Sequence, residues 1–205
     1  MFPNTHPRQM DIRNFFGGGK PRGNEVVPFP TEGTYNPFHE RKQITYSHQY
    51  KMVKGILAEQ TKYAVLLQFD GAADPNPGPA CGAAALFKTD NGSTWKPFVE
   101  GGVYNRHWTN NQAEYEGMIL GLRFAQERGI KELLIEGDSA LVISQTTKEW
   151  KVKDPKMQEK QNEVQDLLKQ FTFVAARHMY REFNQYADAL SKEGVVKGEN
   201  FRREV

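Results

Sequence analysis

Hydrophobic and polar positions fall into two textures along this chain. From residue 1 to about 45 no apolar period persists, polar residues dominate and Pro and Gly recur, so the segment reads as irregular. In "SHQYKMVKGILAEQ", Met52, Val53, Ile56 and Leu57 recur at helical spacing and predict a short helix.

From Tyr63 the pattern becomes that of a folded domain. "YAVLLQF" is an apolar run of strand length that stops at Asp70-Gly71 and a Pro/Gly loop, "ADPNPGP". "CGAAALFK" and "WKPFVEGGV" predict two further strands joined by the turn "TDNGST". "TNNQAEYEGMILGLRFAQERG" has apolar residues at Tyr115, Ile119, Leu122 and Phe124 or Ala125, with Asn110 or Asn111 as cap and Gly129 as stop. "KELLIEG" predicts a fourth strand, "DSALVISQTTKEW" a second helix, and "DPKMQEKQNEVQDLLKQF" a third with Pro near its start. "FTFVAARH" predicts a fifth strand and "NQYADALSKEG" a last helix ending at Gly194. The order β-β-β-α-β-α-α-β-α implies an α/β fold: an antiparallel meander extended into a five-stranded mixed sheet, with helices packed on it.

Composition narrows the class. Of 205 residues, 38% are hydrophobic and 25% charged, a globular balance. A single cysteine, Cys81, excludes a disulfide within the chain and fits a reducing, intracellular setting. No apolar run is long enough to cross a bilayer as a helix, and the N-terminus lacks the apolar core of a secretion signal, so no membrane partner is expected. The net charge of +2 is uneven. Residues 1–62 carry 9 Lys+Arg against 5 Asp+Glu, a surplus of four positive charges, whereas residues 63–205 carry 18 against 20. A basic tail on a slightly acidic core hints at nucleic-acid contact; an ordinary solvated tail has the same charge.

Four carboxylates hold special places in this pattern. Asp70 ends the first strand, Glu114 lies in the first turn of the first helix, Asp138 ends the fourth strand and Asp188 lies in the last helix. Strand ends beside helix starts are where α/β sheets build their sites. Each acid alone has an ordinary role open to it: Glu114 suits a helix dipole, and Asp138 can cap the following helix. Their surroundings say more. "DGAADPNPGPACGAA", "TNNQAEYEGM", "EGDSALVI" and "HMYREFNQYADALS" occur in that order, with one acid in each.

This combination resembles ribonuclease H of type 1, over roughly residues 62 to 195. The resemblance implies the ribonuclease H fold and hydrolysis of the RNA strand of an RNA/DNA hybrid. It implies that Asp70, Glu114, Asp138 and Asp188 hold two Mg²⁺ ions, with Mn²⁺ as a substitute: Asp70 bridging, Glu114 and Asp138 on one ion, Asp188 on the other. Hard oxygen ligands suit that cation, and the chain offers no Cys/His set for zinc. It further implies substrate contacts at Gly71, Asn76, Asn110 and Asn111, and at Thr109 on a DNA phosphate. Asn76 standing alone in a Pro/Gly loop reads equally well as turn chemistry.

Three departures qualify the resemblance. "KEWKVKDPKMQ" lacks the longer basic insertion of some members; Trp150, Lys151 and Lys153 replace part of it, or Trp150 is a core residue. "HMYREFNQYAD" is shorter than the loop that carries a mobile histidine in many members. His178 matches a strand-end histidine instead, which leaves Arg181 or Glu182 as the nearby polar groups. Ala140 stands where several members have a polar substrate contact. The pattern is that of the family's short-loop forms.

The tail holds a second motif. Gln9, Ile12, Phe15 and Phe16 have the spacing of the clamp-interacting peptide, or PIP box, of replication and repair proteins. One helical turn sets Ile12 and the phenylalanines on one face, able to plug an apolar groove, while Gln9 offers its amide. The competing reading is that Phe15 and Phe16 anchor the tail to the core. The resemblance implies a PCNA-like sliding clamp as partner and removal of primers or ribonucleotides during DNA replication. The expected organisation is a tail and linker at 1–60, a monomeric catalytic domain at 61–197 and a C-terminal tail at 198–205. The expected location is nuclear in a eukaryote and cytoplasmic otherwise. The alternative from another class is a nucleic-acid or clamp-binding module that keeps the fold with little catalysis; the presence of all four acids argues against it.

Overall fold

The computed structural model describes residues 51–55, 65–89 and 95–205. Gln9, Ile12, Phe15 and Phe16 lie outside them, as does most of the "TDNGST" turn. Seven strands form one sheet: β1 (Lys51–Lys54), β2 (Val65–Ala73), β3 (Gly78–Lys88), β4 (Lys96–Trp108), β5 (Glu132–Gly137), β6 (Phe173–His178) and β7 (Phe201–Glu204). Among the described residues four α-helices accompany them: α1 (Asn110–Glu127), α2 (Ala140–Thr146), α3 (Pro155–Leu168) and α4 (Gln185–Lys197). The strand order is β1-β6-β5-β2-β3-β4-β7. β2, β3 and β4 form the expected antiparallel meander, and β5 and β6 run parallel to β2. The mixed α/β sheet expected from the sequence is present, with two edge strands beyond the expected five.

Both extra strands correct readings of short segments. Lys51–Lys54, read as part of a helix within the linker, pairs antiparallel with β6. Its four residues are enough to complete an edge when a neighbour offers free backbone groups, a gain that local periodicity does not report. Phe201–Glu204, read as a tail, pairs with β4 and is held by Arg203, which bonds Glu193 through both Nη atoms at 2.9 and 2.7 Å and lies 2.8 Å from Glu100.

The sheet separates two hydrophobic cores. On one face Leu67, Phe69, Leu86, Leu133 and Ile135 meet Tyr115, Met118, Ile119 and Leu122 of α1. On the other, Leu66, Ala83, Ala85, Phe87 and Leu134 meet Leu190 of α4. The alternation of Leu66 and Leu67 between the two cores follows from the period of two along a strand.

Several element ends differ from expectation for identifiable reasons. Thr109, not Asn110 or Asn111, caps α1, in a reciprocal pairing with Gln112. Glu114 therefore falls beyond the first turn. α2 is shorter than "DSALVISQTTKEW" suggested: Ser139 caps it and it closes at Thr147, leaving Trp150 53% exposed rather than in the core. α4 passes Gly194 and stops at Gly198, whose φ of +69° supplies the left-handed cap. β2 does not stop at Asp70; pairing with β3 carries it on to Ala73.

Candidate active site

Register brings the first two acids together. β2 and β5 run parallel, and Phe69 opposite Gly137 is their last pair. Asp70 and Asp138 are the residues that follow that pair. Asp70 remains paired to β3, so its carboxylate is fixed and almost fully buried. Asp138 opens the turn into α2.

The third acid arrives by close packing. A side chain at Gly71 would begin 2.1 Å from the backbone nitrogen of Glu114, and one at Gly82 would begin 2.3 Å from the carbonyl of Ala113. The absence of both lets α1 lie flush on β2 and β3. Glu114 is thereby carried to Asp70, where one ligand oxygen from each of Asp70, Glu114 and Asp138 lies within 4.8 Å of the others.

Asp188 stands at the rim. Arg181 donates to its Oδ1 from Nε and Nη2 at 3.1 and 2.6 Å, and Lys192 reaches its Oδ2 at 2.5 Å. That bonding raises the Arg181 pKa. Its carboxylate is thus ion-paired beside the three-acid cluster rather than within it. Of the two groups expected nearby, Arg181 is the one joined to the acids. His178 ends β6 with Nε2 3.1 Å from the carbonyl of Asp138, the strand-end position expected of it.

Electrostatics mark the cluster as strained. Burial, then the charge of Asp138, pushes the Asp70 carboxyl well above the usual carboxylate range, against the hydrogen bond donated by Ser191. Burial, then Asp70 and Asp138, raises Glu114 likewise. The Oε2 of Glu114 is buried without a hydrogen-bond partner among the described residues. A divalent cation fits this set: three hard oxygen donors from three elements, an unpartnered buried carboxylate oxygen, and repulsion that positive charge would relieve.

The sequence reading missed a supporting frame. Asn184 is fully buried, and its Nδ2 donates to the carbonyl of Phe69 and to Oδ1 of Asp138, both at 2.8 Å. Its Oδ1 is buried without a partner among the described residues, a loss of about 1–3 kcal/mol. Ser191, also fully buried, donates to Oδ2 of Asp70. Deeper in the sheet Gln68, Glu136 and Arg177 lie in register; Gln68 donates to Glu136 at 3.2 Å and Arg177 pairs with it at 2.9 Å. The signal for Asn184 and Ser191 was the helical spacing 184, 188, 191, which sets both beside Asp188.

The expected substrate residues gather at the start of α1. Asn76 Oδ1 accepts from the backbone N–H of Asn110 at 3.0 Å, tying the Pro/Gly loop to the helix. Thr109 Oγ1 is engaged in the cap, and Asn111 is exposed. Gly71 is buried against α1.

A sheet in this strand order, with acids at the ends of adjacent parallel strands and a third on the crossing helix, defines the ribonuclease H-like fold. The reverse transcriptase-like family matches residues 68–194, and the chain belongs to that family. A protein of Halobacterium salinarum named Ribonuclease HI is 38% identical over 127 residues, 62% of this chain and 62% of that protein. The chain thus spans just over three-fifths of that relative's length. The crystal structure of RNase H1 from the same organism superposes with a TM-score of 0.61 at 36% identity, covering 65% of this chain and 98% of that one. LC11-RNase H1, solved in complex with an RNA/DNA hybrid, gives 0.58 at 31% identity, covering 65% and 97%.

Proposed function

We propose that this protein is an endoribonuclease that hydrolyses the RNA strand of RNA/DNA hybrids. The observation that carries the reading is the convergence of Asp70, Glu114 and Asp138 within 4.8 Å, with Oε2 of Glu114 buried and unpartnered. The relatives support the reaction class, since one bears the name Ribonuclease HI and another was solved with the hybrid.

Asp70, Glu114 and Asp138 would hold divalent cations, Mg²⁺ or Mn²⁺, with Asp188 completing a second position once released from Arg181. Two such ions supply the Lewis acidity that phosphodiester hydrolysis requires. The protein's part is placement. Asp70 and Asp138 are held on rigid strand ends, Glu114 is pressed in by α1, and the exposed Arg181 can turn from Asp188 to a substrate phosphate. Hybrid selectivity rests on 2′-hydroxyls read across a shallow minor groove. Asn76, Asn110 and Asn111, beside Thr109 and the Gly71 backbone, form the polar edge suited to that contact.

The N-terminal motif Gln9, Ile12, Phe15 and Phe16 extends the proposal to recruitment by a sliding clamp inside the cell, where primers and misincorporated ribonucleotides are substrates. The basic N-terminal tail would tether the nuclease near the hybrid and raise its local concentration.

The test is cleavage of labelled RNA/DNA hybrid, RNA duplex and DNA duplex with Mg²⁺. The hybrid alone should be cut, and Asp138→Asn should lower the rate by about a thousandfold, since loss of several kcal/mol at a metal ligand corresponds to that factor. A wild type that cuts none of the three with Mg²⁺ or Mn²⁺ overturns the reading and favours a binding module.

A further inference from the structure

We propose that Asn184 and Ser191 are positioning residues through which α4 holds Asp138 and Asp70 in cation-binding geometry. The proposal rests on the metal-dependent reading of the site and assigns work to two fully buried residues.

The chemistry begins with repulsion. Three carboxylates share one corner of the fold, two of them buried. Left alone, such groups rotate apart or take up a proton, and either change weakens a cation site. Hydrogen-bond donors that approach from behind remove this freedom without occupying the ligand positions.

Asn184 is suited to that role in a way few residues are. Its two acceptors are the carbonyl of Phe69, on β2, and the carboxylate of Asp138, the residue after β5. Both need N–H or O–H donors, so the amide nitrogen must face them, and that group has two hydrogens to give. One side chain therefore pins Asp138 to the residue that precedes Asp70. The backbone carbonyl of Asn184 accepts from the N–H of Asp188 at 3.0 Å, so the same residue sets the first turn that presents the rim acid.

Ser191 acts one turn further along. Its hydroxyl has a single hydrogen and two acceptors in reach, Oδ2 of Asp70 and the Asp188 carbonyl at 2.9 Å. A carboxylate oxygen is a stronger acceptor than a peptide carbonyl and takes it. Asn184, Asp188 and Ser191, spaced four and three apart, form one helix face that touches Asp138, the rim and Asp70 in turn.

The experiment is calorimetric titration of the full-length wild type, Ser191→Ala and Asn184→Leu with Mn²⁺, with hybrid cleavage followed across Mn²⁺ concentrations. Ser191→Ala should fold as the wild type does, because it removes one oxygen from a helical position. Each variant should bind Mn²⁺ about tenfold more weakly, within the range seen when supporting partners of metal ligands are removed. The KM for hybrid should hold, and the lost rate should return as Mn²⁺ is raised. Asn184→Asp, which replaces a donor by a further carboxylate oxygen, should be the most damaging. Wild-type affinity in Ser191→Ala and Asn184→Leu, or affinity loss only in step with a lowered Tm, overturns the proposal. So does a wild type that binds no Mn²⁺. A wild type that binds Mn²⁺ more tightly than the variants yet cuts no hybrid leaves the positioning role standing and removes the nuclease reading.

Discussion

The backbone nitrogen of Glu114 occupies the space where a side chain on Gly71 would begin, 2.1 Å from that point. Helix α1 and strand β2 are therefore in backbone contact at the site itself, and the position of Glu114 depends on a hydrogen in place of a methyl group on the residue that follows Asp70.

Gly71→Ala follows as the sharpest test of that contact. The obstacle is helix backbone, not the flexible end of a side chain, so α1 must move outward. Overpacking of this kind destabilises by about 1–3 kcal/mol. Hybrid cleavage should fall more steeply than stability, because Glu114 leaves the cluster. Urea unfolding and single-turnover cleavage measured side by side would show it.

Removing charge from the cluster should stabilise the metal-free protein. Asp70 and Glu114 both have folded-state pKa values raised above the ordinary range. The unfolded chain thus loses these protons at lower pH than the folded one. Their contribution to stability is fully present below the unfolded pKa and is lost as pH rises through the folded value. Glu114→Gln should accordingly melt higher than the wild type at pH 8 in chelator, and the gap should close toward pH 4. Saturating Mg²⁺ at pH 8 should narrow or reverse it by binding the wild type alone. Melting curves at the two pH values decide the matter.

The last strand should be structural. Arg203 bridges Glu193 on α4 and Glu100 on β4, and is only partly exposed. Arg203→Ala should destabilise by about 1–3 kcal/mol, with the loss in fold stability rather than in kcat. Denaturant titration with kinetics at saturating substrate would separate the two.

Clamp recruitment should be separable from chemistry. Replacing Phe15 and Phe16 together by Ala should abolish binding to a sliding clamp while leaving cleavage of free hybrid unchanged. An unchanged clamp affinity in surface-plasmon measurements would dismiss the motif.

The three acids that meet were singled out before the fold was known because each lies in a motif resembling those of ribonuclease H, set on a legible strand or helix. Asp70 and Asp138 follow apolar runs of strand length, and Glu114 and Asp188 lie in periodic helices. The role of Asn184 was not legible: the spacing 184, 188, 191 sets it beside Asp188, but nothing local reveals that Phe69 and Asp138 wait beside it. β1 and β7 were missed for a related reason. Four-residue edge strands carry little periodicity and form because a neighbouring strand offers hydrogen bonds.

The sequence by itself determined the order of the nine central elements and the α/β class, because periodicity and capping are local properties of the chain, and the resemblance of its motifs singled out four acids. The tertiary structure alone decided which three acids meet, which one pairs with Arg181, and which residues hold them. Register between parallel strands, close approach at Gly71 and Gly82, and the docking of α4 depend on contacts between residues about 30 to 120 positions apart. Such contacts exist only once the sheet has assembled.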